Sequence, residues 1–383
     1  MELIKTNKEL KEACKKLNKA KFITIDTEFI REKTYWSQLC LIQVCSGESE
    51  FIIDPLEEDI DLKPFIKLLN KKSILKVFHS GRQDIEIFFK ISGKIPSPIF
   101  DTQIAAMVCG FGDSVGYEKL VDKLLRKKID KSSRFSNWAK RPLTNKQLNY
   151  AIGDVTHLFE IYPILNDALK EKKRTRWLDE ELKILTSENT YNTDPELAYK
   201  RLKIRGYDLK TRGVTFQLAK WREERAQNNN IPRGRVIRDD IIYELSSMKP
   251  QSINEIMGLR SFSNGLRLKE NVINEIQEQI LIGLSLKEEN LPKLPEKRKL
   301  PHGTNSRVSL LKILLNSISE ENEVAQKLIA STQDLEDLIA DDSADIKTLK
   351  GWRYDLFGKK ALDFKNGKVA ITMEENNVIL KYI

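Results

Sequence analysis

Cysteine is scarce in this sequence, and the few that occur form no metal-binding or disulfide pattern. The 383 residues contain four cysteines, none of them in a C-x-x-C pair, and each lies among apolar neighbours. This argues against a zinc site and a disulfide framework, and it favours a reducing compartment. The four are Cys14, Cys40, Cys45 and Cys109.

Long apolar runs and targeting signals are also missing. No run of about 18 apolar residues occurs, and the N-terminal MELIK lacks the basic-then-apolar order of a secretory signal. We therefore expect a soluble, cytoplasmic monomer with no membrane partner. Hydrophobic residues make up 40% of the chain, which is enough for two or three ordinary domains.

Charge, in contrast, is abundant and its balance is positive. The chain carries 65 lysines and arginines against 56 aspartates and glutamates, a net charge of +9. Such a balance suggests a polyanionic partner. Between Lys200 and Asp240, 12 basic residues occur with only 5 acidic ones. This basic stretch is either a nucleic-acid contact or a solvated helical face.

The most informative segment of the sequence is a predicted apolar strand that ends in two carboxylates, FITIDTEF at residues 22–29. Side chains alternate along a strand, so Asp26 and Glu28 point to the same face. Two acids this close repel each other unless a cation lies between them, and carboxylate oxygens are what Mg²⁺ and Mn²⁺ prefer. The D-x-E pair alone is a weak motif and also fits a strand that ends in solvent.

The flanking segments predict a mixed sheet with helices on its faces, an α/β domain. A helix cap at Thr6 precedes the acidic strand, and a longer helix is predicted from Thr144 to Tyr162. Alternating or continuous apolar runs predict the remaining elements. They are strands at 39–44, 50–54 and 73–79 and a short helix at 62–69.

Further polar side chains are candidates for the same site. Asp84 opens a predicted helix after a glycine turn, where an acid also serves as a cap or dipole partner. Tyr150 and Asp154 are four residues apart on one helical face. Asp101 stands at a similar strand-to-helix corner, and we interpret it as structural, as we do the lone His79.

These residues fall into three ordered motifs: Asp26-x-Glu28, His79-x4-Asp84 and Tyr150-x3-Asp154. Together they resemble the exonuclease motifs of the DEDD superfamily, in its tyrosine-bearing branch. The segments DTEFIREKTYWSQLCLIQV, FHSGRQDIEIFF, FDTQIAA and SSRFSNWAKRPLTNKQLNYAIGDVTHL extend the likeness, over residues 1–170, to the ribonuclease D family. The resemblance implies a ribonuclease H-like exonuclease domain.

By that resemblance Asp26 would bridge two divalent ions, Mg²⁺ or Mn²⁺. Glu28 and Asp154 would complete the shell of one ion, and Asp84 would hold the other. Tyr150 would orient the attacking water, because a phenol with a pKa near 10 is a poor base at neutral pH. The implied reaction releases nucleoside 5'-monophosphates, one at a time, from the single-stranded 3' tail of a structured RNA such as a tRNA precursor.

The roles of four side chains near these motifs stay open. Arg82 and Lys76 are candidate phosphate contacts. Phe135 and Trp138 either stack on a base or pack internally, and we favour packing for both.

The second half predicts helical domains. After a helical linker at 171–207, the patterns TFQLAKWRE and IPRGRVIRDD within 208–288 resemble the HRDC domain, a small helical nucleic-acid-binding module. Its candidate phosphate contacts are Lys220, Arg222, Arg233, Arg235 and Arg238. A Pro- and Lys-rich linker is predicted at residues 289–306. The segment that follows, residues 307–383, resembles a second, divergent HRDC-like domain. Its acidic residues suggest a spacer that closes a ring or funnel beside the active site.

Two other functions stay open from the sequence. The same acids serve a DNA-directed 3'-5' exonuclease, and the HRDC module is compatible with DNA. An RNA-binding scaffold with an inactive nuclease fold predicts the loss of at least one acid, whereas all four acids and the tyrosine are present.

Overall fold

The computed structural model describes residues 1–130, 132–204, 208–263, 265, 267–293, 300–375 and 377–383. The chain divides into two compact units. The first unit contains Met1–Glu28, Leu39–Thr190 and Lys297–Ile383, and the second contains Phe29–Gln38 and Tyr191–Glu296. Within the described residues, no helix is long and apolar enough to cross a membrane.

A six-stranded mixed sheet lies in the N-terminal part of the chain, as predicted. Its strands are β1 (Glu2–Ile4), β2 (Phe22–Ile30), β3 (Gln38–Cys45), β4 (Glu50–Ile53), β5 (Leu75–Phe78) and β6 (Ile99–Asp101). The spatial order is β1-β4-β3-β2-β5-β6. β5 runs parallel to both β2 and β6, with Val77 opposite Thr24 on one side and Phe100 on the other. β3 and β4 form the predicted antiparallel meander.

Seven helices accompany this sheet in the described part of residues 1–190. They are α1 (Asn7–Leu17), α2 (Lys63–Leu69), α3 (Arg82–Ser92), α4 (Thr102–Val108), α5 (Tyr117–Leu125), α6 (Asn145–Glu171) and α7 (Thr175–Thr186). α6 begins at the Thr144 cap but continues beyond the predicted end at Tyr162, through Pro163. Its buried face carries Leu165 and Leu169, so apolar burial extends the helix despite the proline.

The second unit is helical. Its helices are α8 (Leu209–Asn228), α9 (Arg233–Val236), α10 (Asp239–Met248), α11 (Ile253–Met257), α12 (Arg260–Ser263) and α13 (Glu270–Ser285). α8 and α13 approach closely at two glycines, since a Cβ on Gly213 would lie 2.1 Å from the Gly283 carbonyl oxygen. The core also takes in Tyr35, from the segment that follows β2.

The C-terminal part of the first unit begins with helices and ends in a hairpin. The helices are α14 (Thr304–Glu321), α15 (Gln326–Ile329), α16 (Thr332–Ala340), α17 (Gly351–Arg353) and α18 (Lys359–Lys365). We expected helices alone here, but β7 (Val369–Glu374) and β8 (Asn377–Tyr382) pair antiparallel. Val, Ile and Thr are frequent in this stretch and favour strands. Trp352 stacks on Trp177 of α7, with ring centroids 4.2 Å apart.

Candidate active site

A cluster of three carboxylates forms where β2 meets α6. Asp26 and Glu28 come from β2 and Asp154 from α6, and one oxygen of each lies within 4.8 Å of the others. The strand register points the first two to one face, and the helix supplies the third. The cluster lines a cavity of about 510 Å³, which also contains Tyr150.

Asp84 and Tyr150 complete the predicted set. Asp84 is 8% exposed in the first turn of α3, and its carboxylate accepts a hydrogen bond from the Thr27 hydroxyl, next to Asp26 on β2. Tyr150 lies one helical turn before Asp154 on α6, and both side chains line the same cavity. The structure therefore brings together all five residues that the motifs predicted.

The metal-free cluster favours protonated acids. Burial, and then the charges of neighbouring carboxylates, raise the pKa of Asp26 well above its usual range and the pKa of Glu28 to about 8. Burial raises the pKa of Asp154 to about 7 and that of Asp84 to about 6. Within the described residues, none of the four forms an ion pair with lysine or arginine. Hard oxygen ligands that repel each other fit divalent cations such as Mg²⁺ or Mn²⁺.

Two tyrosines line the cavity. Burial raises the pKa of Tyr150 above its usual value, so the phenol keeps its proton at neutral pH. Trp138 is buried beside it, with ring centroids 6.1 Å apart. Tyr117 also lines the cavity and donates to the backbone carbonyl of Asp154, thereby holding the helix that carries this acid. Tyr117 was not predicted as a site residue, because nothing in its local pattern sets it apart from a core tyrosine.

Other predicted residues around the cluster are structural. Asp101 accepts from the backbone N–H groups of Gly81 and Gln103, at 2.8 and 2.9 Å, which confirms its role as a cap. His79 is partly buried with Nδ1 3.0 Å from the Thr102 hydroxyl, and desolvation lowers its pKa. Both residues hold the corner between β5, β6 and the helices that follow them.

Two predictions near the site were wrong. Lys76 is fully buried, and its ammonium donates to the carbonyls of Ile74 and Lys71 at 2.7 and 3.0 Å, so it does not reach a phosphate. Phe135 does not pack internally, because its side chain is 91% exposed, whereas the packing of Trp138 is confirmed.

Most of the predicted phosphate contacts in the second unit have partners inside that unit. Arg222 is 4% exposed and bonds to Asp239 at 2.6 Å. Arg233 pairs with Glu223, and Lys220 pairs with Glu196. Arg222 and Arg233 therefore stabilise the module rather than face a ligand. Two candidates are exposed, Arg235 and, in an ion pair with Asp240, Arg238.

Comparisons with known proteins agree with this architecture. Residues 1–170 match the model of the 3'-5' exonuclease family, and residues 212–269 match the HRDC domain. Ribonuclease D of Nitrobacter hamburgensis is 43% identical, covering 99% of both chains, and that of Bartonella henselae is 39% identical, covering 100% of this chain and 94% of the relative. The crystal structure of Escherichia coli RNase D superposes with a TM-score of 0.80 at 26% identity, covering 96% of this chain and 98% of that one.

Fold, acidic cluster and family matches thus define a 3'-5' exonuclease domain joined to an HRDC domain. The similarity to the named relatives covers almost the whole chain, so it identifies the family as well as the two domains. The chain belongs to the ribonuclease D family, and it is a 3'-5' exoribonuclease.

The raised carboxyl pKa values predict how pH affects stability. Ordinary aspartate and glutamate pKa values are about 4 in an unfolded chain, so the metal-free folded state binds more protons than the unfolded state. Its Tm in chelator should therefore fall as pH rises from about 4 to about 8 because of Glu28 and Asp154. Mg²⁺ should reverse the fall above about pH 7, since it binds deprotonated acids.

Thermal scans in chelator and in Mg²⁺ across this pH range measure the effect. Asp154→Asn is the comparison variant, because it removes one titrating group and should flatten the profile in chelator. A Tm in chelator that rises over the same range by the same amount in both proteins would contradict the assignment.

Proposed function

We propose that the protein trims the single-stranded 3' tails of structured RNA, including tRNA precursors, by hydrolysis that uses two divalent metal ions. The observation that carries the metal chemistry is the carboxylate cluster of Asp26, Glu28 and Asp154, with Asp84 beside it. The substrate class follows from the relative in Escherichia coli, which is described as an exoribonuclease involved in structured RNA processing.

The residues have distinct roles in this proposal. Asp26 would contact both ions, Glu28 and Asp154 would hold one, and Asp84 the other. When bound, such ions activate water, neutralise charge at phosphorus and stabilise the leaving oxygen. Tyr150, which keeps its proton and lines the cavity beside Asp154, orients the attacking water rather than accepting its proton.

The cavity also fits a terminal nucleotide. Its volume of about 510 Å³ lies within the range of small-ligand sites, about 300 to 1,000 Å³. Arg134 and Lys119 line it together with the acids. Basic side chains beside a metal cluster can hold the phosphate of the terminal nucleotide without competing for the carboxylates. That the enzyme is cytoplasmic and monomeric stays a prediction.

The test is an RNA-shortening assay. A hairpin RNA with a 3' tail, a tRNA precursor and a matched DNA hairpin, each labelled at the 5' end, are incubated with Mg²⁺, Mn²⁺ or chelator. We expect a ladder that shortens from the 3' end and stops near the duplex, on RNA alone and only with metal. Equal shortening of DNA would favour a general 3'-5' exonuclease. Binding of RNA without shortening would favour an RNA-binding scaffold with an inactive nuclease fold.

A further inference from the structure

A groove between α1 and α2 is lined by two rows of lysines. Lys8, Lys11 and Lys15 recur at helical spacing on α1 and share one face. Opposite them stand three lysines from α2 and its end, and one that follows α3. These are Lys63, Lys67, Lys71 and Lys94. This groove was not predictable from the sequence, because the lysines are spread over 87 residues and only the fold brings them together.

The positive charge of this groove is only partly neutralised. The lining contains two acids, and each pairs with its own neighbour, Glu12 with Lys15 at 2.7 Å and Asp61 with Lys63 at 3.5 Å. Lys71 donates to the side chain of Asn18 at 2.6 Å. In the described part of the chain the remaining four have no ion-pair partner. These four, all exposed, are Lys8, Lys11, Lys67 and Lys94.

We infer that this groove binds the phosphate backbone of RNA, at a surface separate from the acidic cluster. Several unpaired ammonium groups along one groove favour a polyanion of regularly spaced charges. The inference rests on the proposed function for its choice of RNA over other polyanions. Apolar side chains, among them Ile60, Ile66 and Ile91, line the groove together with the lysines. The lysine ammonium groups would make sequence-independent contacts with phosphates.

The fold places the groove close enough to the carboxylate cluster for one RNA molecule to reach both. α3 carries Asp84 in its first turn, whereas Ser92 at its other end lines the groove. Eight residues of helix separate the two by about 12 Å along the axis. A duplex of one or more turns is longer than this separation, so a duplex that adjoins a short tail in the active site is long enough to reach the lysines.

The inference predicts a two-part effect of removing the four unpaired charges. The variant Lys8→Gln/Lys11→Gln/Lys67→Gln/Lys94→Gln keeps helix-compatible side chains. Its affinity for a tailed hairpin RNA should fall by about tenfold or more, and the slope of log K against log salt should shrink by about four, one per lysine. Its turnover of a short single-stranded RNA should equal that of the unchanged protein.

Fluorescence anisotropy in chelator measures the affinity without cleavage, so the binding result stands even if the proposed hydrolysis is wrong. The control variant replaces four exposed lysines elsewhere, Lys183, Lys287, Lys312 and Lys359, by glutamine. Equal affinity and salt slope in the two variants would overturn the inference. The inference would also be overturned if the groove variant kept its RNA affinity but no longer bound vesicles containing phosphatidylserine.

Discussion

Replacing Asp26 by asparagine is expected to abolish most of the ribonuclease activity while raising the Tm of the metal-free protein. Asp26 lies in a cluster of partly buried acids, and desolvation together with repulsion between the carboxylates raises its pKa well above the usual range. Asparagine has a similar shape but no charge, so it relieves the repulsion in the folded state. The same change removes a ligand that a divalent ion needs.

The size of the loss follows from the role of the ions. Metal ions contribute several kcal/mol of transition-state stabilisation, and each 1.36 kcal/mol corresponds to a factor of ten. We therefore expect kcat to fall by about 100- to 1,000-fold, with a reduced stabilisation by Mg²⁺ in thermal scans. Single-turnover degradation of a labelled RNA separates this effect from product release.

The matched control is Asp122→Asn on α5, an exposed aspartate outside the cluster. It should change neither the rate nor the Tm in chelator. Asp26→Asn protein with a lower Tm in chelator would show that Asp26 is a structural acid, and full activity would remove it from the metal site.

The parts of the site that depend on local sequence were predictable. Alternation on a strand places Asp26 and Glu28 on one face, and a four-residue spacing on a helix places Tyr150 beside Asp154. The structure shows both arrangements. These relations depend only on the periodicity of a strand or helix, so they do not require knowledge of what else packs nearby.

Charged residues whose role depends on a distant partner were not predictable. Arg222 and Arg233 contribute to a basic count, yet each is neutralised by an acid that the fold brings to it. Lys76 looks like a surface lysine, but its ammonium donates to carbonyls of the turn before β5 and to the carbonyl of Ser97, which the fold brings to it. A count of charges carries no information about such pairing, because pairing depends on tertiary packing. The alternation in the C-terminal hairpin, in contrast, was visible in the sequence and was overlooked.

The partners of the residues that follow β2 were also not predictable from the sequence, because these residues pack in the second unit. Tyr35 is buried there, its hydroxyl donates to Glu223, and Arg233 lies over its ring at 4.6 Å from the centroid. Asn230 accepts from the backbone N–H groups of Tyr35 and Trp36, at 3.1 and 3.0 Å. Almost 190 residues separate Tyr35 from Glu223, so no local pattern reveals that the two meet.

Replacing Glu223 by alanine is expected to destabilise the second unit by about 3 to 5 kcal/mol. The Glu223 side chain is 1% exposed and forms a bidentate pair with the half-buried Arg233. Removal of one partner of a buried pair leaves the other charge without compensation, and this sets the size of the loss. The Tyr35 hydroxyl also loses its acceptor, which adds an unsatisfied buried donor.

Urea unfolding followed by circular dichroism measures the loss, as a shift of the midpoint at unchanged slope. Glu224→Ala is the control, since Glu224 is the next residue and has no ion-pair partner among the described residues. Its effect should stay within about 0.5 kcal/mol. Tyr35→Phe keeps the ring under Arg233 and removes only the hydroxyl, so its loss should be smaller, about 1.5 to 3 kcal/mol. If Glu223→Ala and Glu224→Ala unfolded at the same midpoint, the buried pair would contribute nothing to the stability of the unit, and Arg233 would again be available for RNA.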